Sequence, residues 1–166
     1  RAANRPEGGA RLTVALPPST QKAPARRTVF PAPGPAPARG RVLVVDDDAT
    51  VARSVRRVLG RKHDVDVAGS GREALARIVE QGQRYDAVLL DLMMPDLPGW
   101  KVYEALETDA PAIAERVIFI TGGVLDPEAR RLFERIRTPC LDKPFEVKTL
   151  RDLVDALIAR GARAGG

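Results

Sequence analysis

One cysteine, one histidine and an aromatic content of only 4% leave this 166-residue chain with few of the usual special-purpose side chains. The lone Cys140 excludes an internal disulfide and fits a reducing compartment. No apolar run approaches the roughly 18 residues of a membrane span. Residues 1–15 lack the continuous apolar core of a signal peptide. There is no internal repeat and no glycine-rich phosphate loop. The chain opens on arginine, and we expect it to be an excised or processed piece of a longer protein.

Acidic residues are scarce only at one end. Residues 1–40 hold seven Lys/Arg and one acid, whereas residues 41–166 hold 20 bases and 21 acids. The net charge of +5 therefore belongs to the first 40 residues, and the remainder is nearly neutral. A folded nucleic-acid binder would carry basic charge on the fold itself, so no nucleic-acid partner is expected.

Residues 1–40 also hold eight of the 14 prolines. The run Pro31-Ala-Pro-Gly-Pro-Ala-Pro37 reads as an extended linker, stiffened by the fixed φ of proline. Within Gly8–Pro17, Leu12, Val14 and Leu16 alternate with Arg11, Thr13 and Ala15, which predicts an isolated strand. A lone strand does not fold, so its partners are expected upstream of this chain.

From residue 41 short apolar runs alternate with helical periodicity. Strands are predicted at about 41–46, 64–68, 86–91, 116–121 and 138–142. The first helix places Val51, Val55, Val58 and Leu59 on one face. The second opens on Ser70-Gly-Arg-Glu73, a capping-box pattern. The third carries Val102, Tyr103 and Leu106. The fourth opens on Asp126-Pro127, a cap followed by proline at the first helical position. The fifth carries Val147, Leu150, Val154, Leu157 and Ile158. Five strands alternating with five helices predict a doubly wound parallel α/β sheet, whose ligands bind beyond the carboxyl ends of the strands.

The polar residues that end these runs carry the chemistry. Arg41-Val-Leu-Val-Val runs into Asp46-Asp47-Asp48, and Asp86-Ala-Val-Leu-Leu ends in Asp91. Val117-Ile-Phe-Ile ends in Thr121, and Lys143-Pro144 follows the last short strand. Magnesium takes oxygen ligands, and Asp46, Asp47 and Asp91 offer two or three carboxylates. Like charges this close raise one another's pKa unless a cation is present. Asp48 is assigned to capping the helix that follows. Lys143 is placed to bind a phosphoryl oxygen as a point charge, and Thr121 to donate a hydrogen bond to the same oxygen. Gly122-Gly123 leave room for a ligand or simply make a turn. A carboxylate nucleophile needs this setting.

Taken in this order, four stretches resemble the receiver domain of two-component response regulators. They are Val44-Val-Asp-Asp-Asp48, Leu89-Leu-Asp-Leu-Met-Met-Pro-Asp-Leu-Pro-Gly99, Ile118-Phe-Ile-Thr-Gly122 and Asp142-Lys-Pro-Phe145. The resemblance covers residues 41–160 and implies a flavodoxin-like (βα)5 fold with strand order 2-1-3-4-5. It implies that Asp91 accepts a phosphoryl group from a kinase phosphohistidine. Asp46, Asp47 and Asp91 would hold Mg²⁺, or Mn²⁺ in its place, with the backbone carbonyl of Met93. Thr121 and Lys143 would grip the phosphoryl oxygens, and the Lys143–Pro144 bond would be cis.

Two departures from the family pattern carry expectations. The position three before the lysine is usually Tyr or Phe, and here it is Cys140. That side chain is too small to report phosphorylation by a ring swing, and is expected to be a small buried strand residue. Met93 and Gly123 occupy positions where fast-hydrolysing members place polar side chains, so slow self-hydrolysis is expected.

Gly9–Pro17 resembles the closing strand of a histidine-kinase ATP-binding domain. The organisation expected is a remnant of that domain over 1–17, a flexible linker over 18–40, the receiver over 41–160 and a disordered tail over 161–166. The parent then resembles a hybrid sensor histidine kinase, cytoplasmic or membrane-anchored, with this fragment cytoplasmic and free of membrane contact. Its autokinase residues are absent here, so the fragment assists only its own phosphotransfer and dephosphorylation. Expected partners are a histidine kinase or a histidine phosphotransfer protein. A homodimer through the fourth helix, fifth strand and fifth helix is a further expectation of the resemblance.

Two rivals compete. Asp46-Asp-Asp-Ala-Thr50 satisfies the Asp-x-Asp-x-Thr signature of haloacid-dehalogenase-like phosphatases. That family needs a second acidic motif after the lysine, whereas Asp91 precedes it, and the first helix leaves no room for the usual flap. The other is a docking module that needs no phosphorylation. His63, between the first helix and second strand, is read as a surface loop residue. Trp100 is read as partly buried against the loop after Asp91, and Arg130, Arg131, Arg135 and Arg137 as a solvated face.

Overall fold

A computed structural model describes residues 2–4, 10–12, 39–122 and 127–164. Strands β1 (Ala2–Asn4) and β2 (Ala10–Leu12) pair antiparallel, with Ala2 opposite Leu12. The strand expected within residues 8–17 thus has one pairing partner, β1, inside this chain. A local hairpin closes with less loop entropy than a distant pairing. Of the linker expected at 18–40, residues 18–38 lie outside the described residues.

The remaining strands are β3 (Arg41–Val45), β4 (Asp64–Ala68), β5 (Ala87–Asp91), β6 (Val117–Thr121) and β7 (Cys140–Asp142). They form one parallel sheet in the order β4-β3-β5-β6-β7. Counted from β3, this is the order 2-1-3-4-5 that the family resemblance implies. The helices are α1 (Ala49–Leu59), α2 (Gly71–Leu75), α3 (Gly99–Asp109), α4 (Pro111–Ala114), α5 (Pro127–Arg135) and α6 (Val147–Ala164).

The inner strands β3, β5 and β6 are buried on both faces because helices cover both. Period-two alternation divides their side chains between two cores. Leu43, Val45, Val88, Leu90 and Phe119 face a core shared with Val102, Leu106 and Phe133. Val42, Val44, Leu89, Ile118 and Ile120 face the other, shared with Val55, Leu59, Leu150 and Val154. Tyr103, Phe119 and Phe133 form a chain of rings with centroids 5.2 and 5.0 Å apart.

Several local expectations change. A wider π-helical segment, Ala76–Glu80, continues α2. The four-residue α4 intervenes before β6, opened by Pro111 at its first turn. Helix α6 runs to Ala164, past the tail start expected at 161. Gly40 is already buried, and Arg39 is tied to Asp64, so the ordered region begins before residue 41.

His63 is a correction. It is 3% exposed, not a surface residue. Its Nδ1 accepts from the Gly40 backbone N–H at 3.3 Å, and Nε2 lies 3.0 Å from Asp155 Oδ1. With Nδ1 accepting, Nε2 carries the proton and donates to Asp155. The ring therefore ties the start of β3 to α6.

Candidate functional site

Parallel strands deliver their ends to one edge. Asp46 follows β3, Asp91 ends β5, Thr121 ends β6 and Lys143 follows β7. The four meet although up to 97 residues separate them. Lys143 Nζ donates to Asp46 Oδ2 and to Asp91 Oδ2, each at 2.9 Å. Asp46 is 1% exposed and Asp91 5%. Asp47 is exposed, yet its carboxylate joins those of Asp46 and Asp91 within 4.8 Å.

Backbone donors fix the two buried acids. Asp46 Oδ1 accepts from the Asp48 N–H at 2.9 Å, and Asp91 Oδ1 accepts from the Met93 N–H at 3.2 Å. Burial raises the Asp46 pKa, outweighing the Lys143 ammonium and the Asp48 N–H, which lower it. Burial on its own would lower the Lys143 pKa, but its bonds to Asp46 and Asp91 and their charge raise it overall. One ammonium thus serves three clustered carboxylates, and the set has room for a further cation.

The Thr121 hydroxyl is buried and, among the described residues, has no hydrogen-bond partner. A buried orphan hydroxyl is costly, and it ends the strand next to Asp91. Together with the carboxylate cluster, it fits a site that receives a divalent cation and an oxyanion.

The backbone around Asp91 depends on Gly99, which opens α3. A Cβ there would lie 2.1 Å from the Asp91 carbonyl oxygen. The Gly99 N–H also donates to the Leu92 carbonyl at 3.1 Å, closing the loop after Asp91. Asp48 is the α1 cap expected of it, accepting from Thr50 N–H at 2.7 Å and Val51 N–H at 3.4 Å.

Met93 is half exposed beside the site. Cys140 is half-buried in β7 and packs against the core of Phe119 and Phe133. The Lys143–Pro144 bond is cis. Gly122 is described, whereas Gly123 and Asp126 lie outside the described residues. Trp100 is partly buried, as read, and its indole N–H has no partner among the described residues. Arg130 and Arg131 are exposed, while Arg135 pairs with Glu107 at 2.8 Å. The sequence reading passed over one feature, a run of arginines on α1 with no acid between Asp48 and Asp64. Their three-and-four spacing was visible there.

Comparison with known proteins agrees with this geometry. The family model of the response regulator receiver domain matches residues 42–155. The two-component response regulator ARR11 of Arabidopsis thaliana is 35% identical over 117 residues, covering 67% of this chain and 21% of the relative. The sensor kinase CckA of Brucella abortus is 34% identical over 119 residues, covering 72% of this chain and 12% of the relative. The chain thus spans about a fifth or less of these two relatives. Among solved structures, a receiver domain protein of Clostridium thermocellum is similar at 26% identity. Its TM-score is 0.66, with 75% of this chain and 98% of that one covered. A CheY-like protein of Methanospirillum hungatei, at 22% identity and TM-score 0.68, shares the fold over 77% of this chain and all of its own. By its sequence and fold, the chain belongs to the response regulator receiver domain family.

Proposed function

We propose that this receiver domain takes a phosphoryl group from a kinase phosphohistidine onto Asp91. The observation that carries the reading is the pair of hydrogen bonds from Lys143 to Asp91 and Asp46, beside a Thr121 hydroxyl with no partner among the described residues. An Asp91 carboxylate oxygen attacks phosphorus and the bond to the histidine nitrogen breaks. The imidazole leaves with the electron pair, giving an acyl phosphate on Asp91. The Lys143 ammonium moves from the carboxylate to a phosphoryl oxygen, and Thr121 donates to another. Asp46, Asp47 and Asp91 would hold Mg²⁺ or Mn²⁺ together with the Met93 carbonyl. When bound, the ion offsets charge on the transferring oxygens.

The donor is a histidine kinase or a histidine phosphotransfer protein. Residues 1–17 as a kinase remnant and 18–40 as a linker suit a hybrid sensor kinase parent, and the match to part of a sensor kinase supports that origin. On this reading the fragment is cytoplasmic; among the described residues no helix is long and apolar enough to cross a membrane. Pairing of two copies through α5, β7 and α6 belongs to the same reading. Cys140, in place of an aromatic, leaves Thr121 without a ring to swing behind it.

Mass spectrometry after incubation with acetyl phosphate and Mg²⁺ tests the proposal. The expected result is one added phosphoryl group on the native chain and none on Asp91→Asn. An unmodified native chain, or an Asp91→Asn variant still modified, would overturn it.

A further inference from the structure

Helix α1 carries a concentration of one charge that the rest of the folded region lacks. Arg53, Arg56, Arg57, Arg61 and Lys62 lie between Asp48 and Asp64 with no acid among them. Elsewhere, residues 41–166 hold 15 bases against 21 acids. The apolar side of the helix, Ala52, Val55 and Leu59, is buried. Arg53 and Arg57 lie one turn apart on the helix with Arg56 beside them, Arg61 follows in the turn after it, and all four are exposed. Arg53 to Arg57 span about 6 Å at the helical rise of 1.5 Å per residue, and Arg61 extends the patch past the helix end at Leu59. With Arg39, Gly60, His63, Val65 and one acid, Asp64, which Arg39 pairs, they line an open cleft of about 700 Å³.

Most of this charge is not neutralised within the fold. Lys62 pairs with Asp155, and Arg39 with Asp64. Arg53 reaches only the Thr50 hydroxyl. Among the described residues, Arg56, Arg57 and Arg61 have no acid partner. Like charges at three- and four-residue spacing destabilise a helix. The helix dipole favours Arg56 and Arg57 in the last turn. It does not account for Arg53 in mid-helix or for Arg39, which arrives from another segment.

The cleft is remote from the acidic edge. Helix α1 starts beside Asp46 and Asp47 and runs away from them, and Arg39 precedes β3 at the opposite edge of the sheet. An occupant of the far end of α1 leaves Asp91 open.

We propose that this arginine cleft docks an acidic helical segment of a partner protein. Guanidinium groups bind carboxylates as a planar two-point fork. Their spacing suits carboxylates on successive turns of a facing helix. The one ring in the lining, His63, is buried and tied to Gly40 and Asp155, so it offers no open face to stack a base, which disfavours a single-stranded nucleic acid. The exposed large apolar residues, Val79, Met93 and Val147, are not part of it, so it has no wedge for a lipid surface. The slight excess of acid over residues 41–166 repels an extended polyanion. The chain's own first 38 residues hold six bases and one acid, so they carry the wrong sign to occupy it.

The test is fluorescence anisotropy with the full chain and a labelled helical peptide bearing glutamates along one face. A second peptide of the same composition scatters its glutamates around the helix. Because the basic N-terminal segment also attracts acid, each peptide is measured against an Arg56→Gln/Arg57→Gln/Arg61→Gln variant that retains this segment. We expect saturable binding of the one-face peptide, about ten-fold tighter than the scattered peptide. We expect a loss of about ten-fold or more in the triple variant, whose circular dichroism and acetyl phosphate modification stay native. Equal binding of the two peptides, or undiminished binding by the variant, would overturn the proposal. So would tighter binding of a DNA duplex or of phosphatidylserine vesicles than of the one-face peptide.

Discussion

Lys143 is the one cation that holds Asp46 and Asp91 together, so its loss leaves two buried carboxylates facing each other. Lys143→Ala is expected to cost about 1–3 kcal/mol in urea unfolding, as when one partner of a buried pair is removed. Added Mg²⁺ should recover part of that loss, and a variant as stable as the native chain without metal would contradict the account. Gly99→Ala is expected to cost about 3 kcal/mol and to impair modification of Asp91, because its Cβ meets the Asp91 carbonyl. Met93 offers no hydrogen-bonding atom strong enough to orient a water at the acyl phosphate. The half-life of phosphorylated Asp91 should therefore be minutes or longer, and Met93→Asn should shorten it several-fold. A native half-life of seconds in a dephosphorylation time course would refute this. Asp46, Asp91, Thr121 and Lys143 were legible in the sequence because each closes or follows an apolar run. His63 was not, since its partners at Gly40 and Asp155 are distant along the chain and leave no periodic mark.

At the scale of elements, caps and periodicity behaved differently. Asp48 and Ser70 start α1 and α2 through side-chain bonds that the sequence announced. Asp48→Ala should cost about 1 kcal/mol in thermal unfolding, the usual loss of a cap. The second half of the capping box is displaced. Glu73 accepts from the Gly69 N–H at 2.9 Å rather than from the cap residue itself. That bond, with the neighbouring Arg77 guanidinium, holds the Glu73 pKa below its ordinary value despite opposing burial. Its contribution is therefore complete above the unfolded pKa of about 4.3 and fades as pH falls through the lower folded value. Glu73→Gln should flatten the acid limb of a stability-versus-pH curve and leave the neutral-to-basic limb parallel to the native one. Helix α4 and the π segment after α2 left no such signal. Four residues show no helical period, and a π turn differs from an α turn by one residue of spacing that side-chain pattern does not record.

At the scale of the whole molecule, the five-stranded parallel sheet has unlike ends, acids and Lys143 at one and arginines at the other. Alternation of short apolar runs with amphipathic stretches made this architecture readable before any coordinates. The pairing of β1 with β2 was not, because Ala2–Asn4 has no apolar alternation to mark it as a strand. The carboxylates at 46, 47 and 91 come together only when β3 and β5 are paired, so the unfolded chain offers a divalent cation no equivalent site. Magnesium should then stabilise the folded state by mass action. At five times its dissociation constant the gain is about 1 kcal/mol. For a domain of this size that raises the melting temperature by roughly 4 °C. Differential scanning fluorimetry across a Mg²⁺ series should show this rise, and EDTA should reverse it. Asp46→Asn removes a ligand carboxylate while keeping its shape, and its melting temperature should respond little to the ion. A native melting temperature indifferent to millimolar Mg²⁺ would mean that the acidic edge is balanced by Lys143 alone and that the cation has no place in it.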